Sequence, residues 1–492
     1  MNHDHVRTRF APSPTGFMHV GNLRTALYEY LIARSAGGRF ILRIEDTDQK
    51  RQVEGALQRI FQTLADVGLQ HDEGPDVGGP YAPYVQSERL SLYPEYAQQL
   101  IDSGHAYRCF CSQERLENLR REQEASGQVG GGYDRRCRDL SPADIETRLA
   151  AGTPFVIRQK MPLTGQTTFT DAVFGQITVE NSELEDQVLL KSDGYPTYNF
   201  ANVIDDHTMA ITHVVRGSEY LSSTPKYNLL YSAFGWQPPV YVHLPLIVGD
   251  DGRKLSKRHG AVSFSDLTAE GYLPEAIINY IALLGWSPPD NRELFTLEAL
   301  CEHFSVNRIS KSPSVFDYQK LAWFNGEYIR QMTPDTFLRF SEPWFSQVCG
   351  PLAPEPARLL AELLQPRVSR LSDIPDMIHF LAEAAPIDPE LYVNKKSKST
   401  LETTRQILPL ALARLEALEH WTRDDLHALL TGMAEAMSVK NGQIMWPVRI
   451  AIARQAVTPG GAIEVLLLLG QEESLKRIRA VCRFLQSLPQ AE

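Results

Sequence analysis

The chain is short of the features that mark secreted and membrane proteins. Its 492 residues hold six cysteines, Cys109, Cys111, Cys137, Cys301, Cys349 and Cys482. In a chain this long that does not read as a disulfide framework, so they are expected to be reduced thiols or metal ligands. No run approaches the roughly 20 apolar residues that a membrane helix requires. The opening residues, MNHDHVRTRF, contain no apolar stretch, so no secretory signal is read, and a cytoplasmic setting without membrane contact is expected. Internal repeats and long low-complexity segments are missing. Positive charge is in deficit: 49 Lys and Arg stand against 60 Asp and Glu, a net charge of −11. A field of that sign repels polyphosphates, so nucleic-acid contact has to come from local basic patches. No Ser-His-Asp or Cys-His signature for covalent catalysis is apparent. What remains is an ordinary soluble composition, 43% hydrophobic and 22% charged, in a chain long enough for about two to four domains.

The N-terminal half reads as α/β. Leu23, Ala26, Leu27, Tyr30 and Leu31 form one face of a helix over residues 23–36, which Gly37 and Gly38 stop. VRTRFAPSP before it and RFILRIED after it read as strands, and together they make a β-loop-α-β unit of a doubly wound sheet. A helix is expected over 86–103. From about 109 to 190 the character changes to a cysteine pair, a charged helix, GQVGGGYD and short strand-like runs such as PFVIRQK and QITVEN, which suggests an insertion in the sheet domain. MAITHVVRG (209–217) returns as a strand. Thr224-Pro225 reads as the N-cap and first residue of a helix ending near Gly235, and HLPLIVG (243–249) as another strand. Beyond residue 265 the pattern is mostly amphipathic helix, as in TRQILPLALARLEAL.

Two short stretches carry chemistry. In FMHVGNLRTAL, His19 and Gly21 stand where a loop becomes a helix. A helix N-terminus offers unpaired N–H groups and partial positive charge to a phosphate, Gly21 leaves room for a flat ligand, and His19 adds a donor. Alone, His-x-Gly is a common turn pattern. RKLSKRHG (253–260) sets Lys254 and Lys257 three residues apart in a loop after a strand, where two ammonium groups suit a triphosphate and a departing pyrophosphate. Basic surface loops are common too. The order of the two motifs, with an insertion between them, is the stronger signal.

These motifs resemble the two signatures of class I aminoacyl-tRNA synthetases. The finer resemblance is to the bacterial-type glutamyl-tRNA synthetase family, through RFAPSPTGFMHVGNLRTALYEYLIA, RIEDTD, KSDGYPTYNFANVIDDH, LPLIVGDDGRKLSKRHG and VFDYQKLAWFNGEYI, in order across residues 9–330. Val20 and Asn22 depart from the commonest letters of the first signature, and Leu255 and Arg258 from those of the second. The resemblance implies a Rossmann-type parallel-sheet catalytic domain with an α+β insertion, followed by an all-α C-terminal region. The expected boundaries are a first catalytic half at 1–108, an acceptor-end-binding insertion at 109–195 and a second catalytic half at 196–250. A lysine-loop and stem-contact region at 251–330 and a helical anticodon-binding region at 331–492 follow. The implied substrates are ATP with Mg²⁺, L-glutamate and tRNA(Glu), and the implied state is a monomer. It also implies catalytic roles for His19, Lys254 and Lys257, and ATP contacts from His19, Gly21, Lys254, Ser256 and Lys257. Glutamate contacts are implied for Arg9, Ser13, Glu45, Tyr198, Asn202 and Arg216, with Glu45 at the ammonium and the arginines at carboxylates. Arg367 resembles an anticodon-reading arginine.

Cys109, Cys111 and Cys137 supply three thiolates for a structural Zn²⁺, which usually takes four ligands. Relatives that bind zinc here have a histidine where this chain has Asp139, and Tyr133 is a second oxygen candidate. Relatives that glutamylate a modified tRNA base lack a C-terminal helical part, and glutaminyl-tRNA synthetases end in β-barrels; this chain has a helical tail. A non-catalytic tRNA-binding paralogue has no use for the pyrophosphate contacts of His19, Gly21, Lys254 and Lys257.

Overall fold

The computed structural model describes residues 5–48, 52–127 and 132–488. The chain divides into two units, residues 1–268 with 277–317, and residues 269–276 with 318–492. No helix among the described residues is long and apolar enough to cross a membrane.

The first unit is built on parallel strands. β1 (Arg7–Phe10) pairs in parallel with β2 (Arg39–Leu42), joined by helix α1 (Val20–Ser35). The insertion adds β3 (Ala106–Cys109), β4 (Val156–Gln159), β5 (Gln166–Asp171), β6 (Gly175–Glu180) and β7 (Val188–Leu190), of which β3-β4-β7 form an antiparallel sheet. β8 (His213–Gly217) and β9 (Val240–Leu244) then pair in parallel, with Arg216 opposite His243, in a sheet ordered β6-β5-β9-β8. Helix α2 (Tyr198–Thr208) precedes β8 and helix α3 (Thr224–Ala233) follows it. The Thr212 N–H donates to the Arg7 carbonyl at 3.0 Å, which sets the start of β8 beside β1. β1 therefore has β2 on one side and β8 on the other. That is the point where strand order reverses, and ligands of such sheets bind there, outside the carboxyl ends of the strands.

Local chemistry explains these elements, and in three places corrects the sequence reading. α1 is buried nearly all round: Arg24, Tyr28, Glu29, Ile32 and Ala33 are covered as well as Leu23, Ala26, Leu27 and Leu31. One apolar stripe underestimates a helix covered on both sides. The N-cap of α3 is Ser223, not Thr224, whose hydroxyl turns back to donate to the Tyr220 carbonyl at 2.9 Å. The expected 243–249 strand is broken at Pro245, which has no N–H to give a ladder; Ile247–Val248 forms a separate strand, β10, paired with β11 (Ser314–Val315). α2 and α3 share a core of Phe200, Val203, Ile204, Tyr227 and Leu230, all fully buried, each such side chain adding about 1.5–3 kcal/mol.

The second unit is helical, as expected. Its last helices span Leu401–Glu416, Arg423–Ala436, Asn441–Ala453 and Ala462–Ser487. Thr400 and Thr422 cap the first two through backbone N–H groups at 3.1 and 3.2 Å. Leu408, Leu415, Leu426, Leu430, Val448 and Val465 fill the core between them.

Candidate active site

A cavity of about 860 Å³ opens at the carboxyl ends of β1 and β8. Arg9, Ser13, His19, Gly21, Glu45, Tyr198, Arg216, Lys254 and Ser256 all line it. Nine of the residues singled out in the sequence thus share one cavity. Asn202 is not on its surface. It is buried one turn along α2, where its amide donates to the Tyr198 carbonyl at 2.6 Å. The side chain of Lys257 lies outside the described residues. Arg367, in the second unit, is exposed, and its guanidinium donates to the Leu363 carbonyl.

The first signature meets the segment that follows the second through a backbone bridge between His19 and Ser263. Val20 N–H donates to the Val262 carbonyl at 2.9 Å, and Phe264 N–H to the Met18 carbonyl at 3.1 Å. His19 is the N-cap of α1, and its Nδ1 accepts the Gly21 N–H at 3.1 Å. An accepting Nδ1 leaves the proton on Nε2, so the ring is a donor toward a ligand. Burial, and secondly Lys254, hold its pKa below the ordinary histidine value, so the neutral form prevails near pH 7. A Cβ on Gly21 would meet only His19 Nδ1, at 3.5 Å. The protein does not need a glycine there for its own packing.

The lysine loop is a hairpin: Gly249 N–H donates to the Arg253 carbonyl at 2.9 Å and Leu255 N–H to the Ile247 carbonyl at 3.0 Å. His259 knits its far side. Its Nδ1 accepts the Ser256 N–H at 3.1 Å, and its Nε2 meets Asp251 at 3.1 Å. Its ring packs so closely on Gly249 that a Cβ there would sit 2.5 Å away. Lys254 Nζ rests 3.3 Å from Glu219 in an exposed pair.

The cavity wall sets two buried arginines, Arg9 and Arg216, in contrasting surroundings. Arg9 Nε binds Asp206 at 2.9 Å, and its Nη1 binds Glu29 at 3.1 Å. Arg43 joins the same network, through Nη1 to Asp206 at 2.8 Å and Nη2 to Glu45 at 2.9 Å. Burial opposes the charge on Arg9, but Asp206 and Glu29 outweigh it and its pKa is raised. Burial also opposes ionisation of Asp206, yet the two arginines hold its pKa below the usual carboxylate value. Arg216 has no carboxylate. Its guanidinium lies 5.6, 4.6 and 5.6 Å from the ring centres of Tyr220, Tyr227 and Tyr241, and its buried Nε and Nη1 have no hydrogen-bond partner. Glu29, Arg43 and Asp206 are the site residues that the sequence reading missed. Ion pairs between distant segments leave no periodic trace, and Glu29 falls on what reads as the solvent face of α1.

In the insertion, the Sγ atoms of Cys109, Cys111 and Cys137 lie within 4.8 Å of one another. The Tyr133 hydroxyl is 3.2 Å from Cys109 Sγ and 3.6 Å from Cys111 Sγ. Three thiols and a phenol oxygen converging on one point form a donor set that fits a tetrahedral soft-metal site. Asp139 is not among them. Its carboxylate is 82% exposed and pairs with Lys160 at 3.5 Å, while the adjacent Arg138 turns inward to Asp186.

Comparison with known proteins accounts for both units. Residues 5–323 match the family of class I tRNA synthetases (E and Q), catalytic domain, and residues 318–482 match an anticodon binding domain. A glutamate–tRNA ligase of Clostridium botulinum is 54% identical over 474 residues, covering 96% of this chain and 97% of the relative. One from Clostridium novyi is 53% identical, covering 97% and 98%. Among solved structures, a glutamate–tRNA ligase of Elizabethkingia meningosepticum in complex with its amino acid superimposes with a TM-score of 0.89 at 37% identity, covering 98% of this chain and 99% of that one. The glutamate–tRNA synthetase of Elizabethkingia anophelis gives 0.90 at 36% identity, covering 97% and 100%. With the cavity at the switch point and both signatures lining it, the chain belongs to the glutamate–tRNA ligases, in the E and Q branch of the class I tRNA synthetases.

Proposed function

We propose that this cavity activates L-glutamate with ATP and then passes the glutamyl group to the 3′ end of tRNA(Glu). In the first step a carboxylate oxygen of glutamate attacks the α-phosphorus of ATP, forming glutamyl-adenylate and releasing pyrophosphate. In the second, a terminal ribose hydroxyl of the tRNA attacks the acyl carbon and AMP leaves. The first step is an in-line displacement that rests on positioning and charge stabilisation, so it needs no protein nucleophile. His19 Nε2–H and the α1 N-terminus seat the phosphates, and Gly21 leaves its missing side chain's volume to the nucleotide. Lys254, Ser256 and Lys257 close over the triphosphate from the lysine loop. Mg²⁺ enters with ATP, held mainly by phosphate and water.

The observation that carries this reading is Arg216. A guanidinium stays charged when buried, and leaving it without an acceptor is costly. Its unpaired Nε and Nη1 suit a ligand carboxylate, here the side chain of glutamate. Arg9 Nη2 takes a second carboxylate oxygen, Glu45 the ammonium, and Ser13, Tyr198 and Asn202 complete the pocket. Glutamine brings an amide in place of the side-chain carboxylate and leaves the guanidinium without its counter-charge, so it is rejected. Pyrophosphate exchange with glutamate and glutamine side by side tests this. Equal rates would overturn it.

Cys109, Cys111 and Cys137, with the Tyr133 hydroxyl as the fourth donor in place of Asp139, would hold one zinc ion, which fastens the insertion and takes no part in the reaction. Metal analysis of protein purified without chelator should give about one zinc per chain. The proposed segments are those expected at 1–108, 109–195, 196–250, 251–330 and 331–492, with β3 running across the first of these boundaries. Arg367, exposed in the helical unit, is available for an anticodon base. A cytoplasmic monomer completes the reading.

A further inference from the structure

Glu29 belongs to neither signature, yet it meets Arg9 inside the cavity wall. The Glu29 side chain is 1% exposed, and its Oε1 accepts from Arg9 Nη1 at 3.1 Å. Its own backbone carbonyl is pinned by the Thr8 hydroxyl at 2.8 Å, so α1 and β1 are fixed to each other at this point. Asp206 holds the opposite edge of the same guanidinium through Nε, at 2.9 Å. A guanidinium is planar. One bond to Nε leaves it free to pivot, and the shorter of the two bonds from Nη1, to Glu29 rather than to the Val215 carbonyl at 3.5 Å, sets the direction of Nη2. Glu29 Oε2 is buried and has no partner. A buried carboxyl left half-satisfied is costly unless it does something for the site.

We propose that Glu29 is a positioning residue for glutamate recognition: with Asp206 it clamps Arg9 from two sides and turns Nη2 toward the substrate carboxylate. This rests on the reading of Arg9 as a glutamate contact. Burial, against the opposing pull of Arg9, raises the Glu29 carboxyl well above the ordinary carboxylate value. A neutral carboxyl accepts from Arg9 through its carbonyl oxygen, and so does an amide. Glu29→Gln therefore keeps the clamp, whereas Glu29→Ala removes it and Glu29→Asp falls a methylene short of Nη1.

The test is glutamate-dependent ATP–pyrophosphate exchange, with KM for glutamate and for ATP measured separately and folding checked by thermal melting. Glu29→Ala and Glu29→Asp should each raise KM for glutamate about tenfold and leave KM for ATP within about twofold, and Glu29→Gln should restore the wild-type value within about threefold. Arg9→Ala should raise KM for glutamate further, and adding Glu29→Ala to it should raise it no more, since the two act as one unit. An unchanged KM in Glu29→Ala and Glu29→Asp, an equal loss in KM for ATP, or full additivity with Arg9→Ala would each overturn the proposal. If Arg9→Ala itself leaves KM for glutamate unchanged, the reading of Arg9 falls instead. Should Glu29→Ala not fold, Glu29→Asp against Glu29→Gln decides the matter.

Discussion

Two arginines face the same cavity from the ends of neighbouring parallel strands, and they live in opposite worlds. Arg9 sits among Asp206, Glu29, Arg43 and Glu45 in a closed ionic lattice. Arg216 sits among three tyrosine rings and meets no acid. The first wall is held by its own ion pairs before any ligand arrives, with only Glu29 Oε2 and Arg43 Nε of its fully buried side-chain atoms left unpartnered, so it works as a preorganised frame. The second is incomplete, its Nε and Nη1 without an acceptor, and on the proposed reading a ligand carboxylate completes it. One cavity thus separates the task of holding shape from the task of discriminating.

Breaking the incomplete wall should have the largest effect on function. Arg216→Gln should raise KM for glutamate on the order of a thousandfold in pyrophosphate exchange, the scale of losing a buried charged hydrogen-bond partner, with little change in thermal stability. Breaking the ion-paired wall should weigh most on stability. Asp206→Asn takes the shared acid from Arg9 and Arg43, and should lower the unfolding free energy in urea by about 3–5 kcal/mol, as for an interrupted buried ion network. If Arg216→Gln destabilised the fold as much as Asp206→Asn, the distinction between frame and reader would be lost.

A third, smaller effect lies at His19. Burial and Lys254 lower the His19 pKa in the folded protein, so the folded state binds this proton less readily than the unfolded chain does. The stability linked to neutral His19 is therefore complete above the unfolded histidine value near pH 6.5, and is lost as pH falls through that value toward the folded pKa. Protonating Nδ1 also breaks its bond from Gly21 N–H. Exchange rate against pH at saturating glutamate should stay flat down to about pH 6.5 and fall only below it. A decline starting above that point would contradict the neutral donor. The smallest effect belongs to Glu219, whose pair with Lys254 is exposed on both sides. Glu219→Gln should change KM for ATP by less than about threefold, as for other surface pairs.

Much of this site was legible in the sequence, and what was hidden shares a physical cause. His19, Gly21, Lys254 and Ser256 could be named because a helix N-terminus and a lysine loop impose residue types at fixed local spacing. The parallel strands were legible through apolar runs bounded by loops. Arg43, Asp206 and Glu29 were not, because each owes its role to a partner that only tertiary folding supplies; Arg9 and Asp206, for instance, are 197 residues apart. Glu29 was hidden twice over, since a single apolar stripe assigned its side of α1 to solvent. Asp139 shows the opposite failure. Its position in the sequence nominated it for the metal, but its neighbour Arg138 takes the inward direction and Tyr133 fills the space among the thiols. The break at Pro245 has a local signal, the missing N–H, which the apolar pattern on either side obscured.

The bridge between His19 and Ser263 also sets a timetable for synthesis. The His19 turn is made early in translation, but the segment that bridges to it leaves the ribosome far later. A nascent chain that ends before Phe264 lacks the segment that docks beside Met18 and Val20, and closing so long a loop is among the slower events in assembling the unit. Translation products interrupted before Phe264 therefore carry His19 without the backbone bridge that fixes its segment.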